Sequence, residues 1–220
     1  MARNYAEIAF TPEVKKLQEK MGSRTSYGRM EKSTNITGLT EDEMDFISQR
    51  DSFYMSTIGE SCYPYIQHRG GPKGFLKVID KKRLGFIDFK GNMQYISTGN
   101  IATNNKTALI LVDYPDRARL KIYATTEIIE LNDNPELFDM LDLKDYKFRS
   151  ERMMVFNVEA YDWNCPQHIT PRYTVEEIEQ LFAPRMKYTQ ELESEIVNLK
   201  KQLRELQTKC KIKNVESNII

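Results

Sequence analysis

The chain has 220 residues, with 32 lysines and arginines against 32 aspartates and glutamates, so its formal net charge is zero. This length allows one domain with an appendage or two small domains. Zero net charge argues against a general attraction to nucleic acid or to an anionic membrane, so any anion site must be local. No apolar run approaches the roughly 20 residues of a membrane span, and the first residues lack a signal peptide's apolar stretch. These features indicate a cytoplasmic protein.

The cysteines and histidines are few and scattered. Cys62, Cys165 and Cys210 are an odd set, which argues against a disulfide framework and fits a reducing compartment. With two histidines and no CxxC motif, a structural zinc site is not expected. We therefore predict no metal site.

Two short helices are predicted in the N-terminal segment, residues 1–50. The first begins at Thr11 and Pro12, a capping residue followed by a proline suited to a first helical turn, and ends at Gly22. The second lies in "TEDEMDFISQRD", whose threonine and second glutamate have the spacing of a capping box. Its cap residues are Thr40 and Glu43, and its inward-facing candidates are Met44 and Ile47. We expect these helices to cover one end of a barrel.

Short β-rich runs fill the next segment, residues 51–173. The runs are "SFYMSTI", "CYPYIQH", "FLKVID", "LGFIDF", "TALILVDY", "LKIYATTEIIEL" and "RMMVFNVEAYDW". Strands that follow one another without long intervening helices favour an antiparallel barrel or sandwich. We expect a closed or nearly closed barrel, because closure hides strand edges. Short helices are predicted in "STGNIATNN" and at Asn134 and Pro135 of "NPELFDML".

The last segment, residues 174–220, is predicted to form a long helix. Thr174 and Glu177 have capping-box spacing, and the helical pattern continues to about Cys210. An apolar seam alternates steps of four and three through Leu192, Ile196, Leu199, Leu203, Leu206 and Cys210. This heptad pattern favours a short, parallel, two-stranded coiled coil. An amphipathic helix packed on its own domain is the alternative, but the charged residues on the other faces leave a narrow stripe that favours self-association.

Three polar clusters are candidates for a binding site. In "YIQHRGGPKGF", Gly70 and Gly71 permit close backbone approach, and Arg69 with Lys73 or Lys77 can bind an anion such as a phosphate. A solvated turn between two strands is the alternative. The second cluster, "DFKGNMQYISTGNIATNN", is rich in groups that can bind a heterocycle's edge or cap a helix beneath a phosphate. These groups belong to Asn92, Gln94, Tyr95, Ser97, Asn100 and Asn104.

The third cluster is "DWNCPQHITPR", which contains the single tryptophan of the chain. Its polar and aromatic members are Trp163, Asn164, Gln167, His168 and Arg172. Taken singly, Trp163 could be a core residue at the end of a strand and His168 an ordinary surface residue.

Four motifs carry a family resemblance: "PYIQHRGGPKGFLKVID", "GFIDFKGNMQYISTGN", "DYPDRARLKI" and "DWNCPQHITPRY". Together they resemble the pyridoxamine 5'-phosphate oxidase-like FMN-binding split-barrel proteins, in the branch with a Gln-His-Arg-Gly-Gly signature. The resemblance extends over most of residues 21–173. It implies a mainly β fold, a six-stranded antiparallel split barrel, that forms a homodimer and holds FMN in two clefts at the dimer interface.

The resemblance also implies which residues bind FMN. The first group flanks the flavin and its phosphate: His68, Arg69, Gly70, Gly71 and Lys77. The second wall comprises Asn92, Gln94, Tyr95 and Ser97, with Asn100 helping to cap the short helix. Arg117 and Arg119 are further contacts, and Trp163, Gln167, His168 and Arg172 match a segment that reaches the partner's flavin. Because a flavin supplies its own redox chemistry, no catalytic residue is assigned.

Three functions remain open. The first is an FMN-dependent oxidoreductase that takes a hydride from a nicotinamide or a small organic donor. Oxidation of vitamin B6 is not expected, because the C-terminal motifs of the authentic oxidase are missing. The second is a non-catalytic flavin-binding or redox-sensing module that acts on a protein partner through the C-terminal helix. The third is a nucleic-acid-binding barrel. It is the least favoured, because the chain has no net charge and its basic C-terminal run is already part of the heptad pattern.

Overall fold

The computed structural model describes the backbone of residues 4–32 and 38–216 and the side chains of residues 4–32 and 38–207. The chain divides into two units, Met1–Pro171 and Arg172–Ile220. Within the described residues, every helix is too short or too polar to cross a membrane.

Four helices precede the first strand: α1 (Tyr5–Ala9), α2 (Pro12–Lys20), α3 (Arg24–Lys32) and α4 (Glu41–Ser48). The two predicted helices are confirmed as α2 and α4. The Thr11 hydroxyl accepts the N–H of Val14, and Gly22 after the helix has a φ of +76°. Thr40 and Glu43 form the predicted capping box.

Helices α1 and α3 were not predicted from the sequence. Asn4 caps α1 by accepting the N–H of Ala6 at 3.0 Å, and its amide nitrogen donates to the carbonyl of Met30 at 2.8 Å. The second bond joins positions 26 residues apart. A contact this distant along the chain leaves no trace in a local helical pattern.

The strands form one antiparallel sheet. They are β1 (Ser52–Ile58), β2 (Pro64–Gly70), β3 (Lys77–Asp80), β4 (Arg83–Phe89), β5 (Lys106–Asp113), β6 (Ala118–Ile129) and β7 (Ser150–Asn164). Their order across the sheet is β2-β1-β5-β6-β7-β4-β3. The mainly β, antiparallel prediction is confirmed, and each predicted run overlaps one strand.

The predicted six-stranded barrel is wrong in two respects, because the sheet has seven strands and is not closed. In the part of the chain that the structure describes, no ladder joins the edge strands β2 and β3. The loop between them is held elsewhere: the N–H groups of Gly71 and Gly74 donate to the carbonyls of Asp51 and Arg50, both at 2.9 Å. Pro72, in the same loop, has no N–H to donate to a ladder.

The open sheet is nevertheless strongly curled. Phe53 of β1 lies 5.6 Å from Phe86 of β4 and 6.0 Å from Phe156 of β7, measured between ring centroids. Arg69 of β2 forms an ion pair with Asp88 of β4. Strands that are far apart in the sheet order therefore face each other across a shared interior.

Alternating side chains fill this interior. In β5, for example, Leu109 and Leu111 are buried and the residues between them are partly exposed, as the two-residue period of a strand requires. Helix α4 adds Ile47 to the same core. The two short helices predicted after β4 and β6 are confirmed as α5 (Ile96–Thr103) and α6 (Pro135–Leu141).

The second unit contains one long helix, α7 (Val175–Glu216), of 42 residues. The predicted capping box is confirmed: the N–H of Thr174 donates to the Glu177 carboxylate at 2.8 Å, and the N–H of Glu177 donates to the Thr174 hydroxyl at 3.2 Å. The helix continues beyond Cys210, whose side chain lies outside the described residues.

Candidate functional site

A cleft of about 200 Å³ opens beside β2, at the end of β4 and the start of α5. Strand β2 contributes Tyr65, Gln67 and Arg69, which share one face because side chains alternate along a strand. The other lining residues are Asp88, Phe89, Gly91, Asn92, Met93, Gln94, Tyr95, Ile96, Ser97, Thr98 and Glu151. The cleft thus combines hydroxyl, amide and charged groups with the aromatic rings of Tyr65, Phe89 and Tyr95.

An ion pair forms the floor of the cleft. A terminal nitrogen of Arg69 lies 2.6 Å from a carboxylate oxygen of Asp88, and the side chains are only 13% and 7% exposed. Burial raises the pKa of Asp88, and the charge of Arg69 offsets only part of this effect. Burial likewise lowers the pKa of Arg69, although an arginine this basic stays charged. The Nε of Arg69 is buried and has no hydrogen-bond partner among the described residues.

The start of α5 opens into the same cleft. Its N-cap is Tyr95, whose backbone is left-handed with a φ of 54°, and no described side chain caps the helix. Ser97, in the first turn, donates its hydroxyl to the side-chain oxygen of Gln67 at 2.8 Å. The first turn therefore keeps uncapped backbone N–H groups, the feature by which helix N-termini bind anions.

Contacts with β7 hold this helix start in place. The Tyr95 hydroxyl donates to Glu151 at 3.2 Å, and the guanidinium of Arg152 lies 4.9 Å from the centre of the Tyr95 ring. Arg152 also donates to the hydroxyl of Thr98 at 2.8 Å. These bonds give the first turn of α5 a fixed position relative to the sheet.

The cleft brings together five of the predicted cofactor residues, and several others lie elsewhere. The five are Arg69, Asn92, Gln94, Tyr95 and Ser97. His68 points to the opposite face of β2, where its ring lies 5.3 Å from that of Tyr54. Lys77 lies in β3, opposite Gly85.

Three of the predicted positions have structural roles outside the cleft lining. Gly70 ends β2, and Gly71 begins the loop that follows. A Cβ at Gly71 would lie 2.7 Å from the ring of Phe75, so only glycine fits against this core side chain. Asn100 lies inside α5 rather than at its cap, and its amide donates to the hydroxyl of Thr57 in β1 at 3.0 Å.

Within the first unit, the residues of the third sequence cluster are not part of the cleft lining. The indole N–H of Trp163 donates to Glu43 of α4 at 2.6 Å, and the ring packs edge-on against Phe46. Arg119 donates to the carbonyl of Cys165 at 2.7 Å. Gln167 and His168 are exposed in the segment after β7, and Arg117 is exposed in the turn before β6. Arg172 belongs to the second unit.

We expect Trp163→Phe to lower the free energy of unfolding by about 2 kcal/mol, the size of a hydrogen bond to a charged group. Burial alone would raise the pKa of Glu43, but hydrogen bonds from Thr40 and Trp163 outweigh it and hold this pKa below its ordinary value. A carboxyl group whose pKa is lowered in the folded state stabilises the fold at pH values above its unfolded-state pKa. This stabilisation is lost as the pH falls through the folded-state pKa. Urea unfolding followed by circular dichroism should therefore show the two proteins converging in acid. A change in FMN affinity without a loss of stability would instead make Trp163 a cofactor residue.

Sequence reasoning missed part of the cleft. Asp88 and Glu151 were not predicted because their partners, Arg69 and Tyr95, lie 19 and 56 residues away along the chain. Gln67 could have been found, since it lies two positions before Arg69 in a strand and must share its face.

The chain is similar to several solved structures over part of its length. No family model and no curated protein matches the chain. A candidate pyridoxamine 5'-phosphate oxidase from Lactobacillus delbrueckii is 22% identical, and the match covers 58% of this chain and 96% of that one, with a TM-score of 0.45. An FMN-binding protein from Syntrophomonas wolfei is 16% identical over 67% of this chain and 97% of its own, with a TM-score of 0.44.

A third solved structure, HutZ from Vibrio cholerae, is described as a heme storage protein. It is 13% identical, and the match covers 56% of this chain and 90% of that one, with a TM-score of 0.36.

Proposed function

We propose that the chain is an FMN-binding flavoprotein and an oxidoreductase, with the cofactor's phosphate at the start of α5. One observation carries this proposal: the uncapped first turn of α5 and the buried, unpartnered Nε of Arg69 belong to the same cleft. Helix N-termini and arginine side chains are both favourable neighbours of a phosphate dianion. A protein with no net charge needs such local groups to hold an anion.

The rest of the lining fits the other parts of FMN. Asn92 and Gln94 offer amide donors and acceptors for the polar edge of the flavin ring, and Phe89 and Tyr95 offer apolar cover. Asp88 holds the Arg69 guanidinium in one orientation. When bound, FMN supplies the hydride chemistry. The residues of this chain bind the cofactor, orient it and exclude water from one side.

We further propose that a second copy of the chain completes the cleft. At about 200 Å³ the cleft is smaller than the roughly 300–1,000 Å³ of typical cofactor pockets. The outer face of β1 and β2 carries Tyr54, Ile66 and His68, and Ile66 is 65% exposed. Apolar side chains exposed on a sheet face favour packing against another surface. On this proposal His68 contributes to the dimer rather than to the cleft of its own subunit.

The exposed helix α7 favours a second candidate function. A helix with an unburied apolar face can pass a signal to another chain, so the flavin could serve as a sensor without turnover. The response of the bound flavin to a hydride donor separates the two functions. Rapid anaerobic bleaching of the bound flavin by NADH or NADPH supports the oxidoreductase, and an unbleached flavin supports the sensor.

The absorbance spectrum of the purified native protein tests the binding proposal. We expect a flavin spectrum and release of FMN, rather than FAD or riboflavin, on denaturation. A haem spectrum would contradict the proposal. Haem is a specific alternative because one of the similar solved structures is described as a heme storage protein. A colourless protein that also fails to take up added FMN would contradict it as well.

A further inference from the structure

The apolar seam of helix α7 begins nearer the N-terminus of the helix than the repeat that starts at Leu192. The helix includes Pro184, which lies at position c outside the seam and lacks an N–H donor, but it runs without a break from Val175. Val175, Ile178 and Phe182 therefore fall in the same heptad register as the later seam. Between the described positions 175 and 207, every side chain except that of Glu177 is exposed. Over these described positions the helix exposes an apolar stripe, whereas most helices are stabilised by packing such a stripe against another surface.

The composition of the seam indicates what covers it. With Leu192, Leu199 and Leu206 at position d, the a positions are Val175, Phe182, Thr189, Ile196 and Leu203. Three of these five are β-branched, and β-branched residues at a with leucine at d favour two parallel strands. Arg185 at d and Thr189 at a interrupt the apolar seam near its middle.

Charge complementarity points to a second copy of this chain. In a parallel pair, each g position faces the next e position of the other helix, five residues further along. Glu195 at g then faces Lys200 of the second copy, and the symmetric pair forms on the other side. The preceding g and e positions are Tyr188 and Glu193, and one heptad earlier Leu181 and Met186 extend the apolar contact. The e and g positions from Leu181 to Gln207 bring no like charges together.

We propose that α7 pairs with α7 of a second copy in a parallel, in-register, two-stranded coiled coil. The seam residues from Val175 to Leu206 form its interior, and the Glu195 and Lys200 pairs set its register. This pairing rests on the second unit alone and is independent of flavin binding. A partner helix from another protein and an unpaired helix are the competing outcomes of the test.

A cysteine introduced at position 189 allows the pairing to be measured in the full-length protein, as the amount of disulfide-linked dimer. Cys62, Cys165 and Cys210 are first replaced by serine, and Thr189→Cys then supplies one thiol per chain. Equivalent a positions of parallel helices face each other within the roughly 5.5–6 Å between Cα atoms that a disulfide requires. In a glutathione buffer, the two thiols lose two protons and two electrons to glutathione disulfide. We expect a disulfide-linked dimer to dominate at equilibrium.

Two matched variants test whether the seam drives this crosslink. In the Thr189→Cys background, Leu199→Lys places a charge inside the seam, and we expect the crosslinking equilibrium to fall at least about tenfold. Val197→Lys places the same charge on an apolar residue at position b, where we expect less than about a twofold change. Both variants keep the first unit unchanged, so any association there affects them equally. Equal effects of the two variants, or no effect of Leu199→Lys, would overturn the proposal.

Charge reversal tests the parallel register. Glu195→Lys or Lys200→Glu alone brings like charges together across the pair, and we expect each to reduce crosslinking about threefold. The double variant restores opposite charges and should recover the original crosslinking. A double variant no better than the singles would exclude the parallel register.

Discussion

Arg69→Ala is expected to lower the free energy of unfolding by about 3–5 kcal/mol, because it leaves the Asp88 carboxylate buried without its partner. The Asp88 side chain is only 7% exposed, so water hydrates its carboxylate poorly once the guanidinium is lost. Denaturant unfolding at neutral pH measures the effect. The exposed ion pair between Arg83 and Asp80, with an N–O distance of 2.7 Å, provides the control. Arg83→Ala should cost no more than about 1 kcal/mol.

The same variant has a defined pH dependence. Burial raises the pKa of Asp88 even beside Arg69, and loss of the arginine charge raises it further. A carboxyl whose folded-state pKa is raised loses stability as the pH rises through that pKa and recovers it on acidification. The deficit of Arg69→Ala should therefore shrink in acid. A deficit that grows in acid would show that Asp88 does not carry the effect.

Phe53→Ala is expected to cost about 3–5 kcal/mol of unfolding free energy, because the aromatic core cannot collapse into the space that the ring leaves. Phe53 is 1% exposed, and its ring packs against those of Phe75, Phe86 and Phe156. It thereby links β1 to β4 and β7 across the interior of the curled sheet.

Urea unfolding measures this loss against Tyr63→Ala, which removes an aromatic ring that is 80% exposed between β1 and β2. The control should change the unfolding free energy by less than about 0.5 kcal/mol. Similar losses in the two variants would mean that the strands of the sheet do not enclose a common core.

Local signals in the sequence predicted the individual elements well. The run "SFYMSTI" coincides with β1, and the capping boxes at Thr40 and Thr174 mark the starts of α4 and α7. These features depend on interactions between residues at most a few positions apart. The strand order and the open edge between β2 and β3 depend on how the whole sheet curls, which no local pattern encodes.

The same distinction explains the site. Arg69 and Gln94 were predicted from motifs, and the structure places both in the cleft. His68 was grouped with Arg69 because it is its neighbour in the motif, although neighbouring residues of a strand face opposite sides. Trp163 stays a predicted contact of the partner's flavin, and in its own chain its indole donates to Glu43, a residue 120 positions earlier. This hydrogen bond depends on the packing of α4 against β7, which no local sequence pattern indicates.

The most direct test of the FMN proposal compares the affinities of FMN and riboflavin for the cofactor-free protein. Riboflavin lacks the phosphate, so a glutamate introduced beside the start of α5 by Met93→Glu, at a cleft position that is 57% exposed, should weaken FMN by about five- to tenfold and leave riboflavin nearly unchanged. Gln49→Glu, which places the same charge outside the cleft, should alter neither affinity. Equal weakening of both ligands by Met93→Glu, or no weakening of FMN, would contradict a phosphate site at the start of α5.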